Sequence, residues 1–454
     1  MSAASLAWQR AGLNVAYSSV SGELKVQYVV ASQLTDDGQI PADPTTLIAE
    51  ASPSSISGKN IFQTTLTGLK ENTEYAYRMG SEEEGWTEIR TFRTGSFGDF
   101  SFLMAGDPQI GSSGSVDSDK NGWQNTMDQA MAQFTDVSFL LSLGDQVEHA
   151  ASETEYEGFL STGNFQSLML APITGNHDSS SSIFKEHFAV PNTVVSEGDT
   201  AAGGDYWFIY NNVLVMCLNS NNLSTSAHRQ FMRDTLAAHG SEVHWTVAVL
   251  HHSIYSTASH AFNNDIVQRR NELAPVFSEL GIDVVLMGHD HVYTRSYMMD
   301  GTTPVIPEGG VSSSVKDPAE GQVLYITANS SSGSKYYSIQ NAEFNFAAVK
   351  NQENVPNISK IDVTDTSFTI TTYRTTDMSL VDSFTIYRTE IKPVTGVTLD
   401  KSEVTLEEGG SDTLKRRRRF RLSKKGNLPL GKRKKRRRVT DRCLRGHVPR
   451  KHTL

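Results

Sequence analysis

A layered α/β core behind an all-β sandwich is the fold class that this sequence predicts, and three observations predict it. Residues 7–95 alternate short runs rich in Val, Thr and Tyr with turn signals. After Gly95 the apolar runs strengthen, each ends in a polar cluster, and helical stretches separate several of them. Between 357 and 390 a two-residue alternation returns in SKIDVTDTSFTITTYRTTDMSLVDSFTIYR, the pattern of a closing hairpin.

Taken in order, LNVAYSSV, ELKVQYVVAS, FQTTLTGL, TEYAYRMG and WTEIRTFRT are the expected sandwich strands. The runs FSFLMAGD, VSFLLSLGD, MLAPITGNHD, HWTVAVLHHS and DVVLMGHDH supply the core strands. Helices are expected over 122–134, 228–239 and 265–280, with Ser226 capping the second. Pro393 marks a boundary, and VTGVTLDKSEVTLEEGGSDTL opens a further β module too short to fold alone. From Lys415 the composition turns basic without turn or strand signals, so this tail is expected to be disordered. The expected domains are therefore 1–96, 97–391, 392–414 and 415–454.

Composition bounds the function. The 454 residues, 38 % hydrophobic and 20 % charged with no long apolar run, predict a globular chain without a membrane span. The net charge of −10 conceals two opposed parts, because residues 415–454 hold 19 Lys and Arg against one acid, Asp441. Removing these from the 41 basic and 51 acidic residues leaves 22 and 50, a strongly anionic body that repels nucleic acid. Only Cys217 and Cys443 are present, so no disulfide framework is expected. The opening MSAASLAWQRAG lacks the pattern of a secretory signal.

Five polar clusters follow the apolar strands: Gly106-Asp107, Gly144-Asp145, Gly175-Asn176-His177-Asp178, His251-His252 and Gly288-His289-Asp290-His291. Singly, each reads as a turn or a structural histidine. Together they assemble carboxylate, amide oxygen and imidazole, a donor set that suits zinc, iron or manganese.

The ordered set GD, GD, GNHD, the histidine after VAVL and GHDH resembles the five-block signature of calcineurin-like metallophosphoesterases. LTGLKENTEYAYRMGSEEEGWTEIRTFRT resembles the end of a fibronectin type III-like domain. With that sandwich attached and HSIY after the fourth block, residues 7–390 resemble the purple acid phosphatases. The resemblance implies a four-layer α/β sandwich of two β-sheets flanked by helices, holding two divalent or trivalent transition-metal ions, Fe, Zn or Mn. Carried over by position, Asp107 and His291 would hold the first ion, Asn176, His252 and His289 the second, and Asp145 would bridge both. The V-x-x-H spacing selects His252 and leaves His251 as a packing neighbour. His177 and His260 resemble the histidines that contact phosphate or protonate the leaving group.

The implied reaction is hydrolysis of a small phosphate monoester by a hydroxide between the metals, whose pKa two cations lower. The same centre would support a phosphodiesterase acting on nucleotides or phospholipid headgroups. A third reading, a surface-binding protein with an inactive central domain, conflicts with how many ligand positions are filled. The module after Pro393 resembles the start of a bacterial group 2 immunoglobulin-like domain. Such flanking modules imply a bacterial extracellular or cell-surface protein in contact with cell wall or carbohydrate.

One position departs from the family pattern. The second block is commonly Gly-Asp-x-x-Tyr, and here the tyrosine position is Glu148. Without a phenolate to bind ferric iron, the purified metal-loaded protein is expected to show no intense visible charge-transfer band. An absorption spectrum checks this, and a strong band would overturn it.

Overall fold

The computed structural model of the chain describes residues 10–18, 22–95, 97–196, 198–389, 394–399 and 416–420. The amino-terminal strands Arg10–Ser18, Glu23–Val30, Thr45–Pro53, Asn60–Thr67, Glu74–Ser81, Gly85–Trp86 and Arg90–Arg93 are joined by antiparallel pairing. Thr45–Pro53 pairs with Glu23–Val30 along its first part and with Asn60–Thr67 along its last three residues, linking the two halves. Val26, Tyr28, Leu66, Tyr75, Tyr77, Met79 and Phe92 meet in one apolar core between them. This strand was not expected from the sequence, because proline at 44 and 53 brackets it. The Tyr75 hydroxyl accepts the Lys70 N–H at 2.7 Å, the corner contact that ties the turn to the next strand.

The following layers match the α/β reading. One sheet runs Met169–Pro172, Val137–Ser142, Phe100–Ala105, Asn357–Val363, Ser367–Arg374, Leu380–Tyr387, Ser314–Lys316. The second contains Tyr206–Tyr210, Val213–Leu218, Trp245–Leu250, Val284–Met287, Gln322–Thr327, Tyr293–Ser296 and Ala347–Asn351 in that order. The two pack face to face through residues such as Phe102, Phe139, Val215, Val247, Leu286 and Ile370. Helices cover the outer faces. Val116–Gln133 and Glu153–Leu160 bury Trp123, Met127, Tyr156 and Phe159 against the first sheet. Thr225–His239 and Asn264–Leu280 bury Phe231, Met232, Leu273 and Phe277 against the second. Four layers result. Strands 357–387 form a three-stranded meander rather than a lone hairpin, and it continues the first sheet.

Helix starts differ from the sequence expectation for reasons of capping. Val116–Gln133 begins at Ser115, whose side chain accepts from Ser118 N–H, with Asp117 and Asp119 in the first turn favoured by the helix dipole. The second helix is capped by Ser224, which accepts from Ala227 N–H, and not by Ser226. Most of 392–414 and 415–454 lies outside the described residues. Within them, Val394–Leu399 pairs antiparallel with Arg416–Phe420, a pairing the composition of the tail did not announce. No helix among the described residues is long and apolar enough to cross a membrane.

The sandwich is fastened to the first sheet's flank by Glu186, only 5 % exposed. Its carboxylate accepts from Ser54 Oγ at 2.8 Å, Ser55 N–H at 3.1 Å and Ser182 Oγ at 2.9 Å. Burial pushes the Glu186 carboxyl up, but these hydrogen bonds outweigh it and hold the group below its ordinary value of 4.5. A depressed carboxyl stabilises above its unfolded value, and the contribution is lost as pH falls through the folded value. Glu186→Ala is accordingly expected to cost about 1–2 kcal/mol in denaturant unfolding at pH 7. The difference from wild type should shrink on acidification below about 4.5; a constant difference would place the cost in packing alone.

Candidate metal centre

All five polar clusters emerge at the carboxyl ends of parallel strands, where α/β sheets place their sites. Phe100–Ala105 leads to Asp107, Val137–Ser142 to Asp145, and Met169–Pro172 to Asn176 in the first sheet. Trp245–Leu250 leads to His251 and Val284–Met287 to His289 in the second. The turns are tight enough to force unusual backbone: Asp107, Asp145, His289 and His291 all have positive φ, between 42° and 75°. For residues other than glycine such conformations cost about 1–3 kcal/mol each and concentrate at functional sites.

Asp145, His251 and His289 form a buried group whose donor atoms all lie within 4.8 Å of one another. His251 Nε2 is 3.2 Å from Asp145 Oδ2, 3.1 Å from Asn176 Oδ1 and 3.2 Å from His289 Nδ1. Its Nδ1 lies 2.8 Å from the carbonyl oxygen of Leu143. A carbonyl only accepts, so Nδ1 carries the hydrogen and Nε2 presents a lone pair to the cluster whenever the ring is neutral. His291 repeats the device: Nδ1 donates to Lys335 O at 2.8 Å and Nε2 faces Asp107 Oδ1 at 3.5 Å. Oxygen and nitrogen acceptors therefore converge on common points, the arrangement a cation satisfies, and these residues fit a transition-metal centre.

The structure brings His251 into this group, beside the neighbouring His252. Side chains alternate along Trp245–Leu250, with Val247 and Val249 facing the inter-sheet core and Ala248 and Leu250 facing the helices. His251 continues the inter-sheet face into the cluster. His252 continues the other face, and its Nδ1 bonds Ser220 Oγ at 2.9 Å, although its ring centroid remains 4.7 Å from that of His289. The V-x-x-H spacing selected His252. The signal that selects His251 is its place as the first polar residue after the strand.

Electrostatics follow the same division. Burial pushes His251 down, but the Asp145 and Asp107 carboxylates outweigh this and raise it to about 9. Burial, reinforced by surrounding histidines, holds His289 well below its ordinary value. For His252 burial acts first, then Arg269 and the same histidines, in the same direction. Asp178 is fully buried, accepts from Gly175 N–H at 2.9 Å and Gln146 N–H at 3.1 Å, and is raised to about 8 by burial and the Asp145 charge. It supports the loop and does not join the cluster.

His177 lies at the rim with Nδ1 2.8 Å from Glu148 O, and its N–H donates to Asp145 Oδ1 at 2.9 Å. His260 stacks near His289 at 4.4 Å between centroids, and its N–H donates to Asp290 Oδ1 at 2.9 Å. Glu148, at the tyrosine position, accepts from Gln109 Nε2 at 2.8 Å and stands 3.7 Å from His177 Nδ1. Trp123 and Tyr206 are core residues: the indole donates to Phe159 O and the phenol to Pro172 O.

Comparison with known proteins bears on the family and the fold. Residues 100–293 match the family model described as calcineurin-like phosphoesterase, and residues 2–94 match that of the purple acid phosphatase N-terminal domain. The chain carries a calcineurin-like phosphoesterase domain. Purple acid phosphatase PPD1 from yellow lupin seeds shares its fold, with a TM-score of 0.68 at 14 % identity over 85 % of this chain and 74 % of that one. Two uncharacterized Mycobacterium tuberculosis proteins, MT2654 and Rv2577, are each 26 % identical over 152 residues. That match spans 29 % of this chain and 28 % of the length of either relative.

The glycines of this phosphoesterase domain allow its closest approaches. A Cβ on Gly175 would fall 2.0 Å from Asp145 Oδ1, and one on Gly288 would fall 2.7 Å from Asp107 Oδ2. Gly175→Ala must displace the Asp145 carboxylate or the backbone beside it. It is expected to cost about 1–3 kcal/mol of stability even in chelator, measured by denaturant unfolding, whereas Gly163→Ala meets nothing within 4 Å. Equal stability of the two variants would contradict this packing.

Proposed function

We propose that this chain hydrolyses phosphate monoesters at a centre for two transition-metal ions. In this reading Asp107 and His291 would hold one ion, and Asn176, His251 and His289 the other, with Asp145 within reach of both. The observation that carries it is the convergence of Asp145, His251 and His289 with Asn176 beside a second pair, Asp107 and His291. When bound, two such ions supply Lewis acidity and lower the pKa of a coordinated water towards neutrality.

The chain's own residues do the rest. Backbone N–H groups of His177 and His289 hold the Asp145 and Asp107 carboxylates, so the ligand set is oriented before anything binds. The Leu143 and Lys335 carbonyls fix the His251 and His291 rings. His177 has its Nδ1 committed to Glu148 O, which leaves Nε2 to meet a phosphoryl oxygen or the leaving group. His260, placed by Asp290 next to His289, serves the same side. A small phosphorylated substrate is the partner this site fits.

Elemental analysis paired with hydrolysis of an aryl phosphomonoester and the matching diester tests the assignment. Wild type should bind about two ions per chain, and Asp145→Ala should lose turnover. His251→Ala should fall beyond the about 10–100-fold that losing an outer partner costs, with loss of metal, while His252→Ala stays within that range. His177→Ala should slow turnover with metal retained. A metal-free, inactive wild type would overturn the proposal, and a preference for the diester would move the chain to the phosphodiesterases.

A further inference from the structure

The loop after strand Gln322–Thr327 runs over the centre and is held there at several points. Ser331 N–H donates to Gly106 O at 2.8 Å, Ser330 Oγ to Asp107 O at 3.1 Å, and Thr126 Oγ1 to Ser331 O at 2.6 Å. Lys335 follows, and its carbonyl takes the Nδ1 hydrogen of His291. Its own ammonium lies 5.3 Å from the Tyr337 ring centroid. The Tyr337 ring in turn stands 5.0 Å from His291 and 5.1 Å from His260.

Lys335 is half-buried, and among the described residues its ammonium stands over the Tyr337 ring with no carboxylate in contact. A lysine ammonium carries its ordinary positive charge at neutral pH. An exposed lysine serving only solubility would not be placed one residue-length from a candidate ligand's hydrogen bond, over an aromatic ring that also faces His260. The sequence gives no local sign of this: Lys335 sits in a Ser-rich stretch, ANSSSGSKYY, far from all five clusters.

Resting on the phosphoesterase reading above, we propose that Lys335, oriented by Tyr337, binds a phosphoryl oxygen and makes the monoester dianion the preferred head group over the diester monoanion. A phosphomonoester carries a charge of about −1.5 to −2 at neutral pH, whereas a diester carries a single charge. A cation at the rim therefore gains more from the monoester, and an ammonium–phosphate hydrogen bond is among the strong ones.

The test compares wild type, Lys335→Ala and Lys335→Arg, all metal-loaded. Three quantities are read: metal content, affinity for inorganic phosphate by calorimetry, and kcat/KM on an aryl phosphomonoester and its matching diester. Lys335→Ala should keep its metal, weaken phosphate binding and lower monoester kcat/KM by about tenfold or more, with the diester changed by less than about threefold. Lys335→Arg should recover part of both losses. Equal loss on the two esters, unchanged phosphate affinity, or loss of metal from Lys335→Ala would each overturn the inference, the last by making Lys335 a support for His291. Failure of the phosphoesterase reading is distinct: wild type itself would take up no metal and cleave neither ester, and the inference would fall with it.

Discussion

Buried carboxylates are the constraint around which the catalytic layers are arranged. Asp107 and Asp145 expose 2 % or less of their surface, and an ion taken out of water costs several kcal/mol unless hydrogen bonds replace the hydration. Here backbone N–H groups do so, and each comes from a different strand's loop. Asp145 is held from the loop after Met169–Pro172, and Asp107 from the loop after Val284–Met287 in the other sheet. The loops can only meet if both sheets end at one edge, which ties the face-to-face packing to the site. The positive φ values at Asp107, Asp145, His289 and His291 are the local cost of that convergence.

The same constraint accounts for the placement of glycine before most candidate ligands. Gly175 lies so near Asp145 that no side chain fits between them, and Gly288 stands in the same relation to Asp107. These glycines are therefore not generic turn residues. They let one strand's loop reach the carboxylate presented by another's.

Much of this was legible in the sequence because the signals are local. Strand-ending runs such as FSFLMAGD and DVVLMGHDH mark both the layer and the site, and the period-two pattern of 357–387 marks strands packed on one face. What the sequence left ambiguous depends on direction and on long-range register. Of His251 and His252, only the strand's alternation, seen against the observed core, decides which faces the cluster. Ser224 rather than Ser226 caps its helix because Thr225 already begins the turn. Lys335 carried no motif, since its place over the centre is made by hydrogen bonds from 330–331 to residues more than two hundred positions away.

Inner wall and rim differ in how they are built, and that difference sets what can vary. The inner wall is fixed by main chain, so changing its side chains disturbs ligands and backbone together. Rim residues sit on loops, but each is anchored to a candidate ligand: His177 adjoins Asn176, His260 is held by Asp290 between His289 and His291, and Lys335 bonds His291 through its carbonyl. In each case the anchoring group is backbone and the outward group is a side chain. Replacing the side chain leaves the anchor in place, so the rim can change which phosphate ester it accepts without moving the centre that would cleave it.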